Sequence, residues 1–177
     1  MLKLIKHPDP ILDKVMPDFD FNNPVIDPKQ LEEEMIILMD QHNGLGLSAN
    51  QVGVEARVFV MNPQNVNGVY TPFALFNPKI IVTGPEEDMG EEGCLSFPDL
   101  WIKVKRPAHV VTEFLDRNNN TCIIRFDGID ARCFLHELDH LNGICFTSKV
   151  SKLKLDLALK KQRKINGRAK QRSSANI

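Results

Sequence analysis

Residues 136–140 read His-Glu-Leu-Asp-His, and on a helix the two histidines fall one turn apart on the same face, where two imidazoles can hold one metal ion. Glu137, beside the first of them, can reach a water at that ion and take its proton. The pentapeptide thus supplies a metal grip and a base, the parts of a metallohydrolase. Its flanks suit a helix: Asp127 is placed to cap it, Asp130 falls in the acid-favouring first turn, and Gly143 follows at a natural stop. Cys133, His136, Glu137 and His140 keep the i, i+3, i+4, i+7 spacing of one face. Polar groups on such an inward stripe are costly unless a metal or a partner satisfies them.

A catalytic site of this kind uses three protein ligands and leaves one position for water. Beyond His140 there is no further histidine, and the sole acid is Asp156 in a lysine-rich stretch. Cys145 follows directly after the helix stop and would have to fold straight back, so an upstream donor is favoured. The best one is Cys94, in Gly90-Glu91-Glu92-Gly93-Cys94-Leu95-Ser96-Phe97-Pro98, where glycines before the cysteine and a proline after it suggest backbone held close to something.

A third segment, Gly44-Leu45-Gly46-Leu47-Ser48-Ala49-Asn50-Gln51, follows a well-marked helix. Asp27 reads as its cap, Pro28 as its first residue and Gln30 as the capping-box partner, with Leu31, Met35, Leu38 and Met39 as its apolar stripe and Asn43-Gly44 as its end. The glycine pair makes a poor phosphate loop, since no third glycine is in register, no Gly-Lys-Ser/Thr follows, and a helix precedes it. A helix C-cap followed by a tight turn is the plain alternative.

Together these segments resemble the three signature motifs of the peptide deformylases: a Gly-x-Gly-apolar-Ala-Ala-x-Gln loop, a Glu-Gly-Cys-Leu-Ser segment and the His136–His140 helix. Ser48 stands where alanine is usual, a change expected to alter a contact near the substrate backbone. His7-Pro8-Asp9 and Leu12 resemble the family's amino-terminal segment, so the likeness runs to about Val150. It implies that Cys94, His136 and His140 bind one divalent metal, ferrous iron by family likeness, with zinc, nickel or cobalt able to substitute. It also implies that Glu137 acts as the base, and that the Gln51 amide and the Leu95 backbone N–H steady the oxyanion formed on the formyl carbon. The substrate would be the N-formylmethionyl end of a nascent peptide and the products formate and a peptide whose amino-terminal methionine has a free amino group. Leu45, Gly46 and Gly93 would lie against the peptide, with Ile129 and Cys133 near the methionine slot. Trp101 stands where some relatives carry arginine.

Between the motifs the pattern is short and alternating. Residues 56–61, 79–82, 100–105, 109–115 and 122–126 read as strands, broken at Asn62-Pro63, Asn77-Pro78, Arg106-Pro107 and the turn at residues 116–120. With the two helices this predicts an α+β fold in which antiparallel strands surround a central metal-binding helix, with a catalytic unit over residues 1–150. Residues 151–177 hold nine Lys or Arg against Asp156 alone. They read as a basic helix and tail of the same domain, with Leu153, Leu157 and Ile165, joined by Leu155 and Leu159, as its apolar positions, fraying after Gly167 into polar disorder. Such a tail suits either a solvated face packed on the body or a contact with ribosomal RNA, the latter suggested by family likeness.

At 177 residues and 42% apolar content the chain suits one soluble domain. No run is long enough to span a membrane, and the amino terminus has neither signal nor transit character. Four cysteines without a secretory signal fit a reducing, bacterial-type cytoplasm, or a host cytoplasm if the gene is phage-borne. A monomer is expected. Three rival readings make different demands. A metalloprotease needs another third ligand, a structural zinc module needs a fourth, and a cysteine nucleophile at Cys94 would leave Glu137 and His140 unused. His7, His42 and His109 show no ligand spacing.

Overall fold

In the computed structural model, which describes residues 2–64 and 71–174, the alternating pattern builds seven strands. They are β1 (Gly46–Ser48), β2 (Val58–Met61), β3 (Phe73–Thr83), β4 (Glu87–Cys94), β5 (Phe97–Pro107), β6 (His109–Leu115) and β7 (Thr121–Asp127). Five form an antiparallel sheet in the order β1-β2-β3-β6-β7, and β4 and β5 form a separate two-stranded ribbon. The helices are α1 (Pro28–Gln41), α2 (Gly128–Leu141) and α3 (Lys152–Ser174). The fold is α+β, as the sequence implies.

β2 explains how the layers assemble. It is a run of apolar residues buried at every position, the mark of a strand covered on both faces. Val58 and Val60 pack with Leu31, Met35 and Met39 of α1, whereas Phe59 and Met61 pack with Phe134, Leu138 and Leu141 of α2. The five-stranded sheet is therefore held between the two helices. Phe134 sits between the rings of Phe59 and Phe126, 5.4 and 5.6 Å between centroids. Truncating such a buried ring to alanine typically costs ~3–5 kcal/mol.

Two strand expectations were too short. β3 runs through Asn77-Pro78, because the register shifts between Phe76 and Lys79, so the proline's missing N–H falls at a bulge and removes no ladder bond. Asn77, at φ 50°, turns its side-chain amide to the backbone of Phe19. β5 likewise extends through Arg106 to Pro107. β4 and the three-residue β1 were not anticipated. Six of the eight residues of β4 are Glu, Asp or Gly, poor strand formers by propensity, and it exists because β5 pairs with it along its length.

The helix caps differ in detail. Asp27 caps α1 by accepting from Gln30 N at 2.9 Å, but the Gln30 side chain reaches forward to Glu34 and forms no capping box. Asp127 occupies the cap position of α2 without capping it, since its carboxylate is taken by Arg125.

The basic tail is also corrected. α3 continues through Gly167 to Ser174, because one glycine costs a helix only ~1 kcal/mol and the strong helix formers Arg168, Ala169, Lys170, Gln171 and Arg172 follow it. Residues 175–177 lie outside the described residues. Its docked face is Leu155, Ala158 and Leu159, packed with Leu100, Ile102 and Val104 of β5, while Leu153 and Leu157 are exposed. Lys154 Nζ donates to Lys103 O and Gln162 Nε2 to Pro98 O, so the helix covers the outer edge of β5.

Candidate metal centre

Cys94 is the last residue of β4 before a two-residue turn, Leu95-Ser96, that leads into β5. The turn aims its sulfur at α2, where His136 and His140 stand one helical turn apart. The three ligand atoms lie within 4.8 Å of one another, and Cys94 Sγ is 3.2 Å from His140 Nε2. That is near the span that bonds of ~2.0–2.3 Å to one ion allow. Among the described residues no fourth His, Cys, Asp or Glu joins the cluster, and Cys145 and the other three histidines stay out of it.

The donor set is tuned for a cation. Burial alone would drive protons off His136, but the Cys94 sulfur and the Glu92 carboxylate beside it hold its pKa up to about 10. For His140, burial and the neighbouring charge of His136 act together and push the pKa well down, leaving a neutral ring. One positive charge is thus favoured between sulfur and imidazoles, and a divalent ion fits where the proton would otherwise sit. His136 Nδ1 is fixed by Glu92 at 3.0 Å, which turns Nε2 toward the cluster.

Glu92 anchors a buried network absent from the sequence reading. It accepts from Arg106 at 2.9 Å through both oxygens and from Arg132 Nη1 at 2.9 Å. Burial opposes its charge, yet hydrogen bonds from His136 and Arg106 hold its pKa down to about 2. Arg106 continues to Asp139, which also pairs with Lys149. Arg132 donates to three carbonyls of β4 and β5, those of Asp88, Gly90 and Val104, and so staples the ribbon that carries Cys94 onto the helix that carries the histidines. The available signal was the alternation of β5, whose side chains at 100, 102, 104 and 106 are buried, with Glu92 paired opposite Ile102.

Glu137 is buried beside the ligands. Burial pushes its pKa up, partly countered by the His136 charge and the Ser48 hydroxyl. Ser48 is fully buried and its hydroxyl donates to this carboxylate at 2.7 Å. Gly46 is glycine for a related reason: a Cβ there would stand 2.6 Å from Glu137 Oε1.

Gln51 lies in the 3-10 turn that follows β1, residues Ala49–Val52. Its Oε1 accepts from Ser48 N at 2.9 Å, which obliges Nε2 to point the other way, 3.0 Å from Ser96 Oγ and 3.4 Å from Cys94 Sγ. The amino-terminal segment holds the Gln51 turn and the Leu95-Ser96 turn in place. Ile5 N donates to Gln51 O, His7 N to Ser96 O, and Ser96 Oγ to Ile5 O.

The ligands open onto a cleft of about 510 Å³. Leu45, Gly46, Gly93, Ile129 and Cys133, expected along the peptide and the methionine slot, all line it, with Leu95 and Gln51 at the metal end. Burial and the nearby Glu137 charge keep the Cys133 thiol strongly protonated, so it is a wall rather than a ligand.

A family model described as polypeptide deformylase matches residues 1–156. A peptide deformylase of Rhizobium meliloti is 35% identical over 158 residues, covering 89% of this chain and 90% of its own. One from Wolbachia pipientis of Culex pipiens is 39% identical over 145 residues, covering 77% and 81%. The solved deformylase of Synechococcus elongatus, in complex with actinonin, superposes with a TM-score of 0.82 at 33% identity, over 91% of this chain and 87% of its own. That of Ehrlichia chaffeensis gives 0.81 at 36% identity, over 93% and 96%. Fold and site together define a metal-dependent hydrolase. The chain belongs to the polypeptide deformylase family, enzymes that remove the formyl group from the amino-terminal methionine of newly made proteins.

Proposed function

We propose that the residues brought together at the end of the cleft carry out this deformylation in assigned roles: Cys94, His136 and His140 as metal ligands, Glu137 as proton carrier, Gln51 and Leu95 as oxyanion donors. The observation that supports this is the convergence of one thiol and two imidazoles with a buried carboxylate and an amide N–H₂ on one spot. A bound divalent ion would lower the pKa of a water molecule at the open position and polarise the formyl oxygen. Glu137, whose burial favours taking up a proton, receives the one released as water adds to the formyl carbon and passes it to the departing amine, so that formate and a free amino group result. The Gln51 amide, locked by Ser48 N, and the N–H of Leu95, for which no acceptor is found among the described residues, donate to the developing oxyanion. Each such donor is worth ~3–4 kcal/mol.

A formyl carbon bears only hydrogen, so the confined space beside Gly46 and Leu95 accepts it and excludes acetyl. β4 pairs with β5 on one side only, and an extended peptide can add along its other edge between Gly93 and Leu45, with the methionine side chain toward Ile129 and Cys133. Iron as Fe²⁺ is the proposed metal by family likeness, since thiolate plus imidazole accepts it, and an accessible iron thiolate would be sensitive to oxygen. We place the chemistry in residues 1–150, and assign residues 151–177 to a ribosome contact through their positive charge, in a monomer of a bacterial-type cytoplasm. No helix among the described residues is long and apolar enough to cross a membrane.

The test is formate release from an N-formylmethionyl peptide by protein purified without oxygen. Activity lost in air but preserved after nickel replacement supports iron, indifference to air supports zinc, and no formate under any metal overturns the assignment.

A further inference from the structure

The cleft does not end at the metal centre. Glu91, Asp99 and Trp101 line it and also line a second hollow of about 260 Å³ whose far wall is α3, through Ala158, Lys161 and Gln162. The two spaces meet at Trp101. Trp101 is 59% exposed, and its indole lies so close to Gly93 that a Cβ there would meet ring carbons at 3.0 Å. Lack of a side chain at residue 93 therefore seats the ring, and any larger residue would lift it. Glu91 and Asp99 flank it, and neither is ion-paired among the described residues. An aromatic face beside free carboxylates is the surrounding that a Lys or Arg side chain prefers. The far wall is fixed as well, since Lys154 and Gln162 tie α3 to β5 on either side of Trp101.

We infer that the formylated chain continues past the methionine slot across Trp101 into this second hollow, where one Lys or Arg of the substrate docks on the indole between Glu91 and Asp99. The C-terminal helix is then a wall of the peptide site. This rests on the deformylase reading. Lys161, on the opposite wall, opposes further positive charge, so the preference is for a single cation at one position rather than for basic peptides in general.

Trp101 is the only tryptophan of the chain, so its emission reports occupancy without any turnover. Metal-loaded enzyme is titrated with unformylated Met-Ala pentapeptides carrying one Lys, or one Glu, at positions 3, 4 or 5. At one of these positions the Lys peptide is expected to change Trp101 emission at roughly tenfold lower concentration than its Glu isomer. The formylated pair should show the same ratio in KM with kcat little changed. In a Glu91→Gln/Asp99→Asn variant the Lys and Glu peptides should act alike. A wild-type preference below twofold at every position, or one that survives in the variant, overturns the inference. Absence of formate from all formylated peptides would instead strike at the deformylase reading, while the emission titration still decides the docking site.

Discussion

Ser48 Oγ lies 2.7 Å from Oε2 of Glu137 and 3.0 Å from the backbone oxygen of the same residue. With Gly46 pressed against Oε1, the end of β1 grips the carboxylate from two sides and leaves it one orientation. Ser48→Ala removes the hydroxyl and leaves a buried oxygen without its donor, a loss of ~1–2 kcal/mol where the partner is charged. Expressed as turnover this is a fall of roughly five- to thirtyfold in kcat with KM unchanged. Steady-state kinetics on a short formylated peptide measures it, and an equal rise in KM would show that Ser48 touches substrate after all.

Glu137→Gln keeps the shape of the side chain but cannot accept a proton. Metal content should stay at that of the wild type, while kcat drops by ~10²–10⁴. Elemental analysis and formate release on the same preparation separate the two effects.

Cys94→Ser replaces the one soft ligand with a hydroxyl that remains protonated near neutral pH. The variant should retain much less than stoichiometric metal after dialysis against a weak chelator, with activity lost in parallel. Full retention of metal would show that the ion sits elsewhere.

The buried Glu92 carboxylate, held down to about 2 against an ordinary value of 4.5, links stability to acid. Because its folded pKa is depressed, its contribution is complete above about pH 4.5 and is lost as pH falls toward 2. Metal-free wild type should exceed Glu92→Gln in unfolding free energy by ~3–5 kcal/mol at pH 7, as for other broken buried ion networks. Urea unfolding at stepped pH should show this gap shrinking below pH 4.5, and a gap constant down to pH 3 would contradict the linkage.

Lys160, Arg163 and Lys164 are exposed on α3, away from its docked face. Changing all three to glutamate should weaken co-sedimentation with ribosomes and flatten its dependence on salt, while hydrolysis of a short formylated peptide is unaffected. Unaltered co-sedimentation would remove the ribosomal role from the tail.

The metal-binding helix was legible in the chain because its information is local. Residues four apart share a face whatever the rest of the molecule does, so His136, Glu137 and His140 declare themselves, as do the Asp27 cap and the stripe of Leu31, Met35 and Met39. Cys94 followed as the best upstream thiol for an incomplete two-histidine site, and the family motifs added Gln51 and Leu95. What the chain did not disclose is every relation that depends on contact between distant segments. β4 has the composition of a loop and becomes a strand only through β5. Glu92 reads as one more surface acid until Arg106, Arg132 and His136 converge on it, and Ser48 acquires its partner from 89 positions away. Of the apolar positions read along the tail, Leu155 and Leu159 are docked, joined by Ala158, while Leu153, Leu157 and Ile165 stay exposed, because the position of the β5 edge selects which face is buried. Local periodicity is written in the order of residues, whereas burial, and the charge states that follow from it, is decided by what the completed fold lays alongside.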